Sequence, residues 1–222
     1  MMGSRMIKTE ENAKEIANHH VYHFFKRVTD IVISAIALIV LSPLILILAI
    51  IVFAQDGHSP FYRQVRIGLH GKPFRMYKFR SMIYNADKIL KKDPKLYKKY
   101  VDNGFKLPEG EDPRITKIGA FLRKTSLDEI PQFLNVLIGE MSLVGPRPIV
   151  KKELVEYGDR LEEFLSVKPG TLGLWQATGR SNIGYPERCD VELQYVENAS
   201  YWYDIKIFCA CCISILKKDG AF

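Results

Sequence analysis

Between Ile31 and Ala54 the chain runs 24 residues without a charge, and Ser42-Pro43 stands in the middle of that run. As one straight helix the segment would be roughly 36 Å long, enough to cross a hydrocarbon core of about 30 Å. Pro43, however, offers no N–H to the Ile39 carbonyl and its ring crowds that carbonyl. A break there leaves two half-helices of about 11 residues, neither of which spans a bilayer alone. The Ser42 hydroxyl can return a hydrogen bond to the Leu38 carbonyl, satisfying a kinked backbone in lipid. Both flanks are basic, with Lys26 and Arg27 before the run and Arg63, Arg66, Lys72 and Arg75 after it. Basic flanks favour the cytoplasmic side. Two readings therefore stand open: a kinked single-pass anchor, and a helix that enters one leaflet, turns at Ser42-Pro43 and leaves by the same face. A cleavable signal peptide fits poorly, because the run is too long and lacks a small-residue cleavage site behind it.

The chain has 222 residues, and roughly 160 remain after this segment for one globular domain with a real core. The formal net charge of +7 suits nucleic acid or an anionic membrane surface. With an apolar segment present, anionic membrane lipids are the expected partner and nucleic acid is not. Cys189, Cys209, Cys211 and Cys212 have no CxxC spacing, so they read as free thiols and not as a zinc site or disulfide framework.

The boundaries expected from these patterns are a polar tail over 1–22, a membrane element over 23–56 and a cytoplasmic catalytic domain over 57–222. Within the last, Phe61–Gly71 reads as an extended or hairpin segment. Asp87–Tyr100 carries six lysines, fits either a solvated face or a headgroup-binding surface, and is interrupted by Pro94. Phe121–Ile138 is apolar enough for a core helix or helix pair, and Gly145-Pro146-Arg147-Pro148 is a rigid turn. Lys151–Val167 has helical spacing and stops before Lys168-Pro169-Gly170. The final apolar stripe from Ile205 to Leu216, with Tyr201, Trp202 and Tyr203 just ahead of it, suits either the headgroup level or the protein core. The fold class is thus mostly α, an α+β chain with little strand.

Signatures for a P-loop, a dinucleotide fold, a nucleophile elbow, a zincin helix or a metal-holding DxD are absent. What remains is Asp128-Glu129 between Arg123-Lys124 and Arg147. Ser126-x-x-Glu129 also fits a capping box, although Pro131 would then sit in the second turn and displace or kink the helix start. In the functional alternative, one carboxylate is a nucleophile that forms an acyl phosphate and its neighbour holds Mg2+ or handles protons. Arginine matches phosphate oxygens in a bidentate way. A proline-locked loop would aim Arg147 with little entropy loss.

Taken in order, the motifs resemble the monotopic phosphoglycosyl transferases of the bacterial sugar transferase family. They are Lys26-Arg27-x-x-Asp30, Ser42-Pro43, Tyr77-Lys78-Phe79-Arg80-Ser81-Met82 and Arg123-Lys124-Thr125-Ser126-Leu127-Asp128-Glu129-Ile130-Pro131-Gln132. Met141-Ser142-Leu143-Val144-Gly145-Pro146-Arg147-Pro148, Lys168-Pro169-Gly170 and Gly220-Ala221-Phe222 complete the series. Each motif is weak alone, and the ordered set is specific. The chain departs from a minimal member in its lysine-rich Lys88–Pro113 region and in the Cys209–Cys212 cluster.

The resemblance implies a re-entrant helix-break-helix at the cytoplasmic face of the bacterial inner membrane, broken at Ser42 and Pro43, with interfacial amphipathic helices. It implies Asp128 as nucleophile, Glu129 as metal or proton handler, and both as ligands of Mg2+. Lys78, Arg80, Arg123 and Arg147 are the expected phosphate-binding residues, and Gln176 and Arg180 are candidates for nucleotide or sugar contact. The implied reaction moves a sugar-1-phosphate from a UDP-sugar to a polyprenyl (undecaprenyl) phosphate with loss of UMP, in polysaccharide or glycoconjugate synthesis. A membrane-bound nucleotide-sugar hydrolase and a non-enzymatic membrane scaffold are the alternatives. Oligomeric state, a dimer included, is not indicated.

Overall fold

A computed structural model describes residues 2–103, 107–108, 110–178 and 184–217, with side chains between 20 and 214. Arg180 and the terminal Gly220-Ala221-Phe222 lie outside the described residues. Helix α1, Met2–Val40, runs without interruption through the expected boundary at residue 22. Helix α2, Ser42–Ala54, follows one residue later, and the pair His20–Val40 and Ser42–Ala54 is bent by 60°. No single helix among the described residues is long and apolar enough to cross a membrane. Pro43 falls in the first turn of α2, where its missing N–H costs nothing. The Ser42 hydroxyl donates to the Ile39 carbonyl at 2.7 Å and not to Leu38 as expected. Ile39 is the acceptor because its carbonyl is the one that Pro43 leaves without a donor.

Residues 22–36 of α1 are amphipathic in an inverted sense. Positions 22, 26, 30 and 34 lie on one face, and positions 24, 28, 32 and 36 stand about 200° around the helix from them. The first set is Tyr22, Lys26, Asp30 and Ser34, and it faces the protein, with Asp30 and Ser34 buried. The second set is Phe24, Val28, Val32 and Ile36, all exposed. Apolar outside and polar inside is unfavourable in water and suited to lipid.

Strands β1 (Phe61–Ile67) and β2 (Pro73–Phe79) form an antiparallel hairpin, with Phe61 opposite Phe79 and Ile67 opposite Pro73. Pro94 divides the lysine-rich stretch into α3 (Ala86–Lys92) and α4 (Pro94–Asp102), and the Asp93 carboxylate caps the second. The apolar run from Phe121 resolves into a helix pair: α5 (Lys117–Lys124) and α6 (Gln132–Ile138), joined by a 3-10 turn at Leu127–Glu129. Ser126 is not the expected N-cap; it adopts φ 56° and its side chain caps nothing. Helix α6 begins only after Pro131, because a proline in the second turn would remove a backbone donor.

Strands β3 (Ser142–Val144) and β4 (Gly170–Leu172) pair in parallel. Between them the expected helix over Lys151–Val167 is a 3-10 segment, Lys151–Arg160, followed by the short α7, Leu161–Phe164. Gly158, at φ 47° and ψ −130°, interrupts helical geometry there. Helices α8 (Leu174–Thr178), α9 (Glu187–Glu197) and α10 (Tyr201–Lys217) complete a mostly helical fold with little strand.

The main core joins Phe74 and Met76 of β2, Val136 of α6, Leu143 and Val144 of β3, and Ile207 and Cys211 of α10. A second cluster seats Leu48 and Val52 of α2 on Phe79 and Leu122, so the second limb of the bent pair packs directly on the domain. Burying Leu122, which is 0% exposed, contributes about 1.5–3 kcal/mol. The four cysteines are free.

Gly145 and Gly170 bring two backbone segments into direct contact. The Gly170 N–H donates to the Pro146 carbonyl at 2.8 Å, and a Cβ on either glycine would overlap the backbone of the other segment. The Lys168-Pro169-Gly170 motif thereby supports the loop that carries Arg147. Gly170→Ala is expected to force these backbones apart at a cost of about 1–3 kcal/mol, in the range for overpacking. A thermal-shift measurement in detergent will read this as a lowered Tm, and an unchanged Tm would show that the loop tolerates the displacement.

Candidate active site

Asp128 and Glu129 occupy the 3-10 turn between α5 and α6. The left-handed Ser126 reverses the chain into it, and the Glu129 N–H closes it on the Ser126 carbonyl at 3.2 Å. The distance from this turn to β2 is set by Asn135, which is fully buried in the apolar stretch of α6. Its side chain accepts from the Tyr77 N–H at 2.9 Å and donates to the Arg75 carbonyl at 2.8 Å. On β2, the period-2 alternation places Lys78 on the same face as Phe74 and Met76, at the edge of the core. Its ammonium stands 2.7 Å from Glu129 Oε1 and 3.9 Å from Asp128 Oδ2.

Asp128 is 7% exposed. Burial pushes its carboxyl up to about 6, against the pull of Lys78, and the neighbouring Glu129 charge adds to the rise. Glu129 moves the other way. Burial opposes its ionisation, but the Lys78 ammonium, both by charge and by hydrogen bond, and then Arg147 outweigh it and hold Glu129 below its ordinary value. Adjacent carboxylates are thus driven apart in acidity, the pattern of two acids with different tasks.

Arg123 closes the last turn of α5, where a cation complements the helix dipole. Its Nε donates to the Ser81 hydroxyl at 2.8 Å, and its charge acts on Asp128. Arg147 projects from the Gly145–Pro148 loop. Its backbone N–H is held by both carboxylate oxygens of Glu192 at 3.1 Å, and its guanidinium stacks on Trp175, 5.1 Å from the ring centroid. The Arg147 and Glu129 charges act on one another, so the structure gathers Lys78, Arg123 and Arg147 around the two acids.

Arg80 is placed elsewhere. Its guanidinium pairs with Asp56 and its Nε donates to the Ser59 carbonyl, fastening the exit of α2 to the end of β2. Strand alternation alone would put Arg80 on the Lys78 face, but β2 ends at Phe79, so Arg80 is placed by the chain beyond the strand. Gln176 is engaged locally, donating to the Thr171 carbonyl at 3.2 Å.

Three residues of the site escape the sequence patterns. Asn135 reads as one polar interruption in an apolar helix. Glu192, fully buried, and Arg188 are an i,i+4 pair on α9 indistinguishable by spacing from a surface ion pair. Only a buried charged pair on an otherwise core-facing helix would have flagged them.

No group of three or more His, Cys, Asp or Glu side chains suited to a metal is found among the described residues. Mg2+ is characteristically held by one or two carboxylates together with substrate phosphates and waters. The Asp128-Glu129 pair matches that donor set.

A sequence profile described as "Bacterial sugar transferase" matches residues 21–218. The chain is 46% identical over 203 residues to the "Undecaprenyl-phosphate galactose phosphotransferase" of Salmonella typhimurium strain LT2, covering 90% of this chain and 42% of that protein. It is 44% identical over 186 residues to the "Exopolysaccharide production protein ExoY" of Sinorhizobium fredii, covering 82% of this chain and 81% of that protein. A "UDP-glucose:undecaprenyl-phosphate glucose-1-phosphate transferase" of Klebsiella pneumoniae is 39% identical over 193 residues, 82% of this chain and 38% of that protein. The chain spans about two fifths of the length of the Salmonella and Klebsiella relatives. With a profile match running through the acidic turn, Arg123 and the Arg147 loop, the chain belongs to the bacterial sugar transferase family.

Proposed function

We propose that this protein is a phosphoglycosyl transferase that moves a sugar-1-phosphate from a UDP-sugar to a polyprenyl phosphate. The observation that carries this reading is a buried carboxylate, Asp128, beside a more acidic partner, Glu129, with Lys78 bridging them and Arg123 and Arg147 alongside. Relatives named for phosphotransfer to undecaprenyl phosphate support the choice of acceptor.

In the first step an Asp128 carboxylate oxygen attacks the sugar-bearing phosphorus. The bond from that phosphorus to the bridging oxygen breaks, and the electron pair leaves with UMP. In the second step an oxygen of the polyprenyl phosphate attacks the aspartyl phosphosugar. The acyl phosphate bond breaks, the Asp128 carboxylate is regenerated, and polyprenyl diphosphate sugar is released. Catalysis of such transfers rests on positioning and on neutralising the charge that builds on the transferred group. Lys78, Arg123 and Arg147 supply fixed positive charge for this, and they are already held by Glu129, Ser81 and Glu192. Bound Mg2+, held by the Asp128 and Glu129 carboxylates, would add Lewis-acid polarisation of the phosphates.

The inverted α1 and the 60° bend support a re-entrant anchor at the cytoplasmic face of the membrane. The exposed apolar residues of α2, among them Leu46, Ile47, Ile50 and Phe53, would then face acyl chains. A shallow anchor keeps the charged dyad at headgroup level, where the lipid phosphate lies and where carboxylates remain hydrated.

Nucleotide release from a panel of UDP-sugars with Mg2+, with and without undecaprenyl phosphate, tests the reading directly. UMP is expected from one sugar and only with lipid. UDP in place of UMP would overturn the mechanism, and lipid-independent UMP would make the protein a hydrolase. Asp128→Asn is expected to abolish turnover, and the mass increment of the sugar phosphate on the protein, while membrane association persists. Substantial residual turnover would exclude the covalent route.

The Asp128 carboxyl is half ionised near pH 6, and the attacking species is the anion. Single-turnover rates should therefore rise about tenfold per pH unit below 6 and level off above it. Lys78→Gln removes the charge that lowers this value, so the limb should move to higher pH. A limb that stays in place would separate Lys78 from Asp128 ionisation.

A further inference from the structure

Beyond Arg147, α9 brings a second guanidinium to the same indole. Arg188 stacks on Trp175 with its guanidinium carbon 4.5 Å from the ring centroid and lies 5.5 Å from the centroid of Tyr185. The residue is 7% exposed, yet its Nε and Nη2 have no hydrogen-bond partner among the described residues. The Glu192 carboxylate stands 3.7 Å from Nη2, close enough to share charge and too far for a hydrogen bond. The indole Nε1 of Trp175 and the Tyr185 hydroxyl are also buried and have no hydrogen-bond partner among the described residues. Leaving such donors without acceptors is costly, and native interiors rarely do it without a reason.

Charge at this point is also unbalanced. Arg66, Arg147 and Arg188 act on one another in a buried setting: burial and then the neighbouring guanidinium draw Arg66 and Arg147 below the ordinary arginine value. Facing them are Glu192 and Glu153, with Glu129 shared with Lys78. Burial pushes Glu192 up to about 7, so it is the less able to neutralise them. A buried excess of guanidinium with idle donors lacks one component, a multiply charged oxyanion.

We propose that Arg188 is a second phosphate-binding arginine, paired with Arg147 across Trp175, that receives a phosphate group adjacent to the one attacked by Asp128. This rests on the phosphoglycosyl transferase reading above, which brings two phosphate sources to the site: the nucleotide-side phosphate of the donor, and the lipid phosphate of the acceptor. The planar fork of arginine suits either, and the indole fixes its plane before the ligand arrives. Glu192 is a positioning residue in this arrangement. It holds the Arg147 backbone and orients Arg188 by charge without touching the ligand.

The chain has two tryptophans, and Trp202 is 78% exposed on α10. Trp202→Phe therefore leaves Trp175 as the sole fluorophore, directly under both arginines. In that background, UMP and a short-chain polyprenyl phosphate in micelles are titrated separately against Trp175 fluorescence, and KM is measured for donor and acceptor. Arg188→Gln should weaken one of the two ligands by roughly tenfold to hundredfold, the loss of a charge-assisted hydrogen bond. Arg188→Lys should recover part of it by keeping the charge without the fork. A loss confined to UMP and the donor KM assigns the nucleotide-side phosphate, and a loss confined to the lipid assigns the acceptor. Because Arg188→Gln strands the buried Glu192, the neutral pair Arg188→Gln/Glu192→Gln is measured alongside with a thermal-shift check. Wild-type affinities and both KM values unchanged in these folded variants would overturn the proposal. A wild-type protein that releases no UMP from any UDP-sugar would instead fail the functional reading, and the fluorescence titrations would still report on the phosphate site.

Discussion

The Lys26 ammonium is the point on which the architecture turns. It lies 2.6 Å from Asp204 Oδ2 and 2.8 Å from the Val144 carbonyl, joining α1, α10 and the end of β3 in one contact. Tyr195 donates to the other Asp204 oxygen at 2.7 Å, and Tyr22 to the same oxygen as Lys26 at 3.0 Å. Removing one member of such a desolvated pair typically costs about 3–5 kcal/mol, because the survivor is left charged and unpaired. The next residue of α1, Arg27, donates to the Val136 and Leu137 carbonyls at the C-terminus of α6, and one turn on from Lys26 Asp30 accepts from the Leu143 N–H and the Ser142 hydroxyl. The Lys-Arg-x-x-Asp motif is therefore a docking strip. It fastens the helix that leads into the apolar run to the elements flanking the acidic turn.

That strip explains the inverted pattern of α1. With its polar residues spent on the protein, the opposite face of α1 is left wholly apolar, which a lipid surface accepts and water does not. The second limb, α2, is fixed by Leu48 and Val52 against Phe79 and Leu122, and by the Arg80–Asp56 pair at its exit. The bent helix pair and the rest of the chain consequently share cores, and packing crosses residues 56 and 57 without a break.

At the site itself, rigidity is supplied by backbone contacts and charge by side chains. Gly145 and Gly170 bring two segments together more closely than any side chain would permit, and Glu192 grips the Arg147 N–H from beneath. Asn135 ties α6 to β2 and so sets the Lys78-to-dyad distances. On the proposed reading, the ordering energy of the arginines is met before a phosphate arrives, the condition under which electrostatic stabilisation is most effective.

Much of this was legible in the sequence, and the limits are physical. The apolar run and its break at Pro43, the helix pair around Asp128-Glu129, the split at Pro94 and the mostly helical class follow from periodicity and proline chemistry, which act over a few residues. The Ser126 capping box and the Lys151–Val167 helix did not form, because Pro131 and Gly158 outweighed helical spacing nearby. Which cation serves which acid was decided only in three dimensions. Lys78 and Arg80 are two positions apart, yet one faces the dyad and the other Asp56, because β2 ends at Phe79 and strand alternation no longer governs Arg80. Lys26 finds Asp204 across 178 positions, and Arg147, Trp175, Arg188 and Glu192 meet only because α8 and α9 fold over the β3–β4 pairing. The sequence by itself determined which chemical groups and local elements were available. Burial of the shared core decided which of them are neighbours, because long-range pairing is selected by packing and desolvation, and neither is encoded in spacing along the chain.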